Sequence, residues 1–306
     1  MGRTSKDKRD IYYRKAKEEG YRARSAYKLL QLDQEFDLLK DAENVVDLCA
    51  APGSWSQVVS QRLRELCKGQ ATIVAVDLQE IAPIEGVTII KGDITSRPTV
   101  EAILKEFENG MVDLVLSDGA PDVTGLHDLD EYIQSDLILS ALNVATFLLR
   151  RGGTFVAKVF RGKDTCGVFS RLSVFFENVT VAKPRSSRNS SIEAFFVCRG
   201  YSRPSFWEPT LIFHKDPSTE VLQDLEIEQE CSRTTESSES QERMKTMMPF
   251  VSCGDLSCYD ADMAYDIDRN CQENSSFATS LPPVQTPIHA AYENALARKR
   301  SAQQTN

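Results

Sequence analysis

The chain has 306 residues, 41% of them hydrophobic, and a formal net charge of -9, enough for a full core in one large domain or two small ones. No run approaches the roughly 18 apolar residues of a membrane span, and the opening MGRTSKDKRD has no apolar signal core, which points to a cytoplasmic protein with a possible nuclear fraction. The negative average hides an asymmetry: from Tyr201 onward there are 9 basic and 17 acidic residues, whereas the first 30 residues hold 10 basic against 4 acidic. A basic amino terminus, a near-neutral body and an acidic tail remain. The eight cysteines form no C-x-x-C pair and the three histidines are far apart in sequence, so reduced thiols and no structural metal are expected.

Residues 6–19 are charged and helix-permissive, and Arg22 to Phe36 reads as an amphipathic helix anchored by Ala26, Leu29, Leu30 and Leu32. From Asn44 the pattern alternates: strand 44–49, helix 55–66, strands 71–76 and 87–91, helix 98–108, strand 112–117, helix 131–149, strand 154–160, helix 165–176, and strands 178–183 and 193–199. Short apolar strands alternating with helices predict an α/β fold, a Rossmann-like, mostly parallel sheet covered on both faces, with ligands at the carboxyl ends of its strands. The expected division is a domain over 1–203, with basic helices in 1–36, followed by an acidic tail over 204–306. Within that tail, 215–246 is too polar to order itself, 249–262 is apolar enough to dock on the core, and the end is loose.

One stretch stands out, Asp47 to Gln57, DLCAAPGSWSQ. It reads as a strand end, a tight loop broken by Pro52 and Gly53, and a helix starting near Trp55 with Ser54 and Gln57 as a capping box. A helix start offers free N–H groups to an anion, and a glycine allows close approach. With one glycine the loop matches neither the dinucleotide fingerprint nor the phosphate loop, and suits the carboxylate of an adenosyl ligand such as S-adenosylmethionine. By itself it is equally a plain connection between strand and helix.

Other residues weigh on that choice. Asp47, Asp77, Asp93 and Asp118 terminate four consecutive strands, and Asp77 lies 24 residues past Gly53, near the offset for ribose recognition. Lys158 ends GTFVAKV and is expected to be partly desolvated, which with a second cation nearby lowers its pKa toward that of a base; the alternative is a structural ion pair with Asp118. Glu193, opening the apolar strand EAFFV, needs a partner. Arg22, Arg24 and Lys28 on the basic helix are, taken alone, a solvated face.

Together DLCAAPGSWSQ, AVDL, KGDIT, SDGAPDVTGLHDLDEY, FVAKVFRG and KPRSSRNSSIEAF resemble, over about residues 1–200, the FtsJ/RrmJ family of RNA 2'-O-ribose methyltransferases. The amino-terminal GRTSKDKRDIYYRKAKEEGYRARSAYKLLQLD and the later PFVSCGDLSCYDAD are similar to its eukaryotic tRNA branch, the Trm7-type enzymes of the anticodon loop. The resemblance implies S-adenosylmethionine as cofactor, bound by Gly53, Trp55, Asp77, Asp93 and Asp118, and a catalytic set of Lys28, Asp118, Lys158 and Glu193. Lys158 is then the expected base, Lys28 and Glu193 orient the ribose, and Arg22, Arg24 and Lys28 become a phosphate-contacting surface. It also implies tRNA as partner, with a WD-repeat subunit for the first anticodon nucleotide or a helical-repeat subunit for the first nucleotide of the anticodon loop. Competing readings are methylation of rRNA or of an mRNA cap, and a catalytically silent RNA-binding subunit. Cytosine methylation is disfavoured because SDGAPD supplies no cysteine nucleophile, and base amino-methylation because no [DN]-P-P-[YFW] motif is present.

Overall fold

The computed structural model describes residues 10–66, 71–107, 111–121, 126–163, 165–205, 248–257 and 259–262. Two helices, α1 (Ile11–Glu18) and α2 (Ala26–Phe36), precede β1 (Asn44–Leu48), α3 (Ser54–Glu65), β2 (Thr72–Asp77) and β3 (Thr88–Lys91). There follow α4 (Arg97–Glu106), β4 (Val112–Ser117), α5 (His127–Leu148), β5 (Leu149–Phe160), α6 (Thr165–Phe175), β6 (Phe176–Pro184), β7 (Glu193–Tyr201) and β8 (Phe250–Cys253). The strands form one sheet in the order β3-β2-β1-β4-β5-β7-β6-β8. From β3 to β5 every pairing is parallel, β7 runs antiparallel between β5 and β6, and β8 adds parallel to β6. The α/β sheet expected from the alternating pattern is therefore present. The segments 215–246 and 263–306 lie outside the described residues.

Among the boundaries that differ from expectation, two have clear local reasons. The helix expected from Arg22 begins only at Ala26, because Arg22 N–H donates to Gln57 Oε1 (2.9 Å) and 23–28 close as turns, with Ala26 N–H on Ala23 O and Lys28 N–H on Ser25 O. β5 starts at Leu149, five residues early, through an irregular register against β4. Gly152 there adopts φ 79°, and a Cβ on Gly153 would come within 2.9 Å of Arg150 O, so only glycines accommodate this bend.

Both faces of the sheet are buried, which is why the strands read as continuous apolar runs. Alternation sorts them: Val46, Leu48, Val115, Phe155, Ala157 and Phe196 pack under α4, α5 and α6. Val45, Leu114, Leu116, Val156, Phe195 and Val197 face α2 and α3. On α3 the apolar positions Trp55, Val58, Val59 and Leu63 follow the spacing of one helical stripe, and Leu29 and Leu32 do the same on α2. Asp10 caps α1 by accepting from Tyr12 N–H (3.0 Å) and Tyr13 N–H (3.3 Å), and Tyr12 and Ala16 of that helix pack with Tyr27 and Ala261.

Leu29 is fully buried where α2 meets the sheet. Leu29→Ala is expected to lower unfolding free energy by about 2–5 kcal/mol, read from the midpoint of urea denaturation with an unchanged slope.

Candidate active site

The loop after β1 turns sharply, with Cys49 at φ 57° and Gly53 at φ 100°. The left-handed φ favours glycine at 53, and a Cβ there would also press on Arg22 Nη1 and Ile84 Cδ1, both at 2.8 Å. α3 begins at Ser54, and the capping box expected from Ser54 and Gln57 does not form. Ser54 Oγ instead shares a 2.6 Å hydrogen bond with Ser25 Oγ, while Gln57 accepts from Arg22 N–H and donates to Gly20 O (3.2 Å). The side chains that looked like caps fasten the amino-terminal segment, and the first-turn N–H groups of α3 have no intrahelical acceptor. Trp55 sends its side chain into the core: it is buried, donates Nε1–H to Ser25 O (2.9 Å) and packs on Phe195. Only its main-chain N–H borders the loop.

Asp77, the last residue of β2, accepts from Ala51 N–H and Gln79 N–H, both at 2.8 Å, and so ties the loop to the neighbouring strand. Asp93 accepts from Thr95 N–H (2.9 Å) and Thr95 Oγ1–H (2.6 Å) in a tight turn after β3. Asp47 is fully buried and accepts from Ser56 Oγ–H at 2.6 Å. Burial, reinforced by the charges of Asp118 and Asp77, outweighs that hydrogen bond and pushes its carboxyl up to about 7.

Strand parity assembles the rest. Lys158 pairs across from Phe195, and Phe160 from Glu193. Side chains alternate, so Lys158, Glu193 and Phe195 share the face covered by α2, and Asp118, one residue past β4, continues the phase of Leu114 and Leu116. Lys28 reaches them from α2: its Nζ lies 2.7 Å from Glu193 Oε2. Lys158 Nζ donates to Asp118 O (2.6 Å) and stands 2.9 Å from Asp118 Oδ1. That carboxylate oxygen is buried, ion-paired, and without a directed hydrogen bond. Residues 28, 118, 158 and 193 thus meet at one edge of the sheet.

The electrostatics overturn one expectation. Burial acts to lower the Lys158 pKa, but the Asp118 and Glu193 carboxylates prevail and the ammonium is held above the ordinary lysine range. Lys28, paired with Glu193, is not the second cation that depresses it. For Glu193 burial acts to raise the pKa, yet Lys28 and Lys158 win and hold the carboxyl below its usual range.

The structure commits Arg22 and Arg24, the expected phosphate contacts, to internal partners. Arg22 gives its guanidinium N–H groups to three carbonyls, Pro52 O (2.9 Å), Ala82 O (2.8 Å) and Pro83 O (2.9 Å), stapling the loop to the segment after β2. Arg24 is bonded to the Asp10 carboxylate and Ser186 O. Loops expose more carbonyls than N–H groups can satisfy, and a guanidinium with several donors serves them.

Two supporting residues went unnoticed in the sequence. Gln134, buried on α5, donates to Lys158 O (2.7 Å) and Gly119 O (3.2 Å). Its signal was a polar residue in phase with the buried Ile138, Ala141 and Ala145 of one helix stripe. Ser187 donates Oγ–H to Glu193 Oε1 at 2.8 Å, and one serine among several in SSRNSS carries no such signal.

The model of FtsJ-like methyltransferases matches residues 21–201. The chain belongs to the FtsJ-like methyltransferase family. Among similar proteins is a Homo sapiens tRNA (cytidine(32)/guanosine(34)-2'-O)-methyltransferase, 52% identical over 99% of this chain and 87% of its own length. A Schizosaccharomyces pombe protein of the same name is 48% identical over 98% of this chain and 99% of its own. A Gallus gallus pre-rRNA 2'-O-ribose RNA methyltransferase is 42% identical over 70% of this chain but only 26% of its own. Among solved structures, a provisionally named ribosomal RNA methyltransferase from Plasmodium falciparum superposes with a TM-score of 0.53 at 28% identity, covering 59% of this chain and 98% of that one.

Because Arg22 is a staple in this FtsJ-like chain, Arg22→Ala is expected to lower the Tm by several degrees on the order of a 1 kcal/mol loss. The same variant should leave the slope of log RNA affinity against log salt unchanged; a slope smaller by about one would restore Arg22 as a phosphate contact.

Proposed function

We propose that this FtsJ-like methyltransferase transfers a methyl group from S-adenosylmethionine to the ribose 2'-hydroxyl of anticodon-loop nucleotides 32 and 34 of tRNA, the positions in the names of its relatives. The observation that carries the reading is the convergence of Lys28, Asp118, Lys158 and Glu193 on the sheet edge beside the loop. Coverage favours tRNA over ribosomal RNA, since the tRNA enzymes align over nearly their whole length and the pre-rRNA enzyme over a quarter of its own.

The donor groups fit that cofactor. First-turn N–H groups of α3, Trp55 among them, suit a carboxylate, with Gly53 leaving the backbone approachable. The strand-end carboxylates Asp77 and Asp93 suit ribose hydroxyls and an adenine amino group, and the buried Asp118 Oδ1, lacking a directed donor, suits an ammonium. When bound, S-adenosylmethionine supplies a methyl carbon made electrophilic by its sulfonium, so the protein must align a nucleophile and remove one proton. Lys28 Nζ and the Glu193 carboxylate orient the ribose. Lys158 Nζ, in its neutral form, takes the 2'-hydroxyl proton, and Asp118, through its main-chain O, holds that nitrogen in place.

The chain's partners in this reading are tRNA and large subunits, a WD-repeat protein for nucleotide 34 and a helical-repeat protein for nucleotide 32. Arg22 and Arg24 are committed to internal bonds, which supports a need for outside help in holding the phosphate backbone. A tRNA substrate suits a cytoplasmic location with a nuclear fraction, and among the described residues no helix is long and apolar enough to cross a membrane.

Lys158→Ala is expected to cut methyl transfer to tRNA by about 10²–10⁴-fold, with cofactor binding by calorimetry retained; an unchanged rate overturns the base assignment. With the Lys158 pKa above the ordinary value of about 10.4, its neutral fraction grows about tenfold per pH unit below that point. The rate is therefore expected to rise with unit slope across pH 7–9. Glu193→Gln, by removing one carboxylate that raises that pKa, should lower the rate yet displace the rising limb to lower pH.

A further inference from the structure

Glu193 is gripped from two sides, by Lys28 Nζ on Oε2 and by Ser187 Oγ on Oε1. Ser187 stands in the turn 185–192 between β6 and β7, which the sheet alone does not hold. On one flank Gln31 Oε1 accepts from Ser186 N–H at 2.8 Å, and Arg24 donates to Ser186 O. On the other flank lies a strap that follows β8. Cys253 O accepts from Arg185 N–H at 2.8 Å. Asp260 Oδ2 accepts from Asn189 Nδ2 at 2.9 Å and lies 3.4 Å from Arg185 Nη2, and Asp262 Oδ2 accepts from Asn189 N–H at 2.5 Å.

The strap is anchored in its turn. Asp262 N–H donates to Asp260 Oδ1 (2.8 Å), Tyr12 Oη–H donates to Tyr259 O (3.0 Å), and Ala261 is buried against Tyr12 and Tyr27. Gly254, at φ 92°, lies so close to Gln31 that a Cβ would come within 2.9 Å of its Cδ, and Gln31 is the residue that holds Ser186. Asp260 is itself buried, whereas Asn189 is exposed. The strap residues themselves lie beyond residue 201, where the family match ends.

We propose that residues 253–257 and 259–262 are a positioning element of the methyl-transfer site, in which Asp260, acting through Asn189 and the 185–192 turn, fixes the Ser187 hydroxyl against Glu193. The inference rests on the reading of Glu193 as the group that orients the ribose. It makes Asp260 and Asn189 positioning residues, since neither touches the reacting atoms.

The test uses the full chain. Asn189→Ala removes one link at an exposed position, Asp260→Ala removes two, and Asp260→Asn keeps an oxygen able to accept from Asn189. In cofactor-free protein, a ¹³C NMR titration of the Glu193 carboxyl is expected to move to higher pH in both alanine variants and to stay near the wild-type midpoint in Asp260→Asn. With the partner subunit present, both alanine variants should lose about tenfold in kcat on tRNA while KM for S-adenosylmethionine stays within about twofold. In a Glu193→Gln background the Asp260→Ala loss should shrink to under about twofold, because both changes disable the same contact. An unmoved Glu193 titration, or a loss that is fully additive with Glu193→Gln, overturns the proposal. Should Asp260→Ala not fold, Asn189→Ala decides by the same readouts. Should the wild-type chain methylate no tRNA, the functional reading fails on its own, and the titration still decides whether the strap holds Glu193.

Discussion

The two-residue period of the strands is the constraint on which the rest depends. In β5 it places Phe155, Ala157 and Val159 under one helical layer and Val156 and Lys158 under the other. In β7 it sends Glu193, Phe195 and Val197 to that second layer, where α2 carries Lys28. A slip of one residue in β5 would deliver Lys158 to the α5 side, and one in β7 would turn Glu193 away from Lys28. The apolar neighbours thus enforce the polar geometry: the register that buries Phe155 and Phe195 is the register that brings the two ion pairs together.

Two ammonium groups and two carboxylates in so small a volume settle each other's charge. Removing charges from water is costly unless they are paired, and here each cation has an anion within 3 Å. The consequence for Lys158 runs opposite to the simple picture of a buried amine. Desolvation alone favours a neutral base, but Asp118 and Glu193 stabilise the ammonium, so the well-ordered arrangement holds the proton on. Positioning and basicity are in tension at this nitrogen, and the geometry favours positioning. Asp47, two strands away on β1, resolves the same crowding differently: burial and the charges of Asp118 and Asp77 push its carboxyl up to about 7.

Much of this was legible in the sequence, and the failures have physical causes. The sheet and its crossover helices were readable because buried parallel strands are apolar runs of characteristic length, and the strand-end acids and Lys158 stood out against them. Sequence reading went wrong where side chains choose among partners distant in the chain. Ser54 and Gln57 satisfy a capping pattern, yet they bond Ser25, Arg22 and Gly20, because the amino-terminal segment lies across the helix start. Arg22 and Arg24 form a basic cluster in one dimension and a set of internal staples in three. The depression expected for Lys158 rested on burial and a second cation nearby, and that two carboxylates outweigh them is a property of register that composition does not carry.

β8 has a bearing on how the molecule behaves in concentrated solution. Without it, β6 would end the sheet, a nine-residue strand with Val179, Val181 and Ala182 buried along it. β8 pairs with its outer side from Val181 to Pro184, so the sheet is bordered by two strands of only four residues, β3 and β8. Long unpaired edges are templates on which other chains add, and short ones are a common defence. Loss of β8 would therefore do more than shorten the chain: it would bare the outer ladder of β6, on which another chain could add.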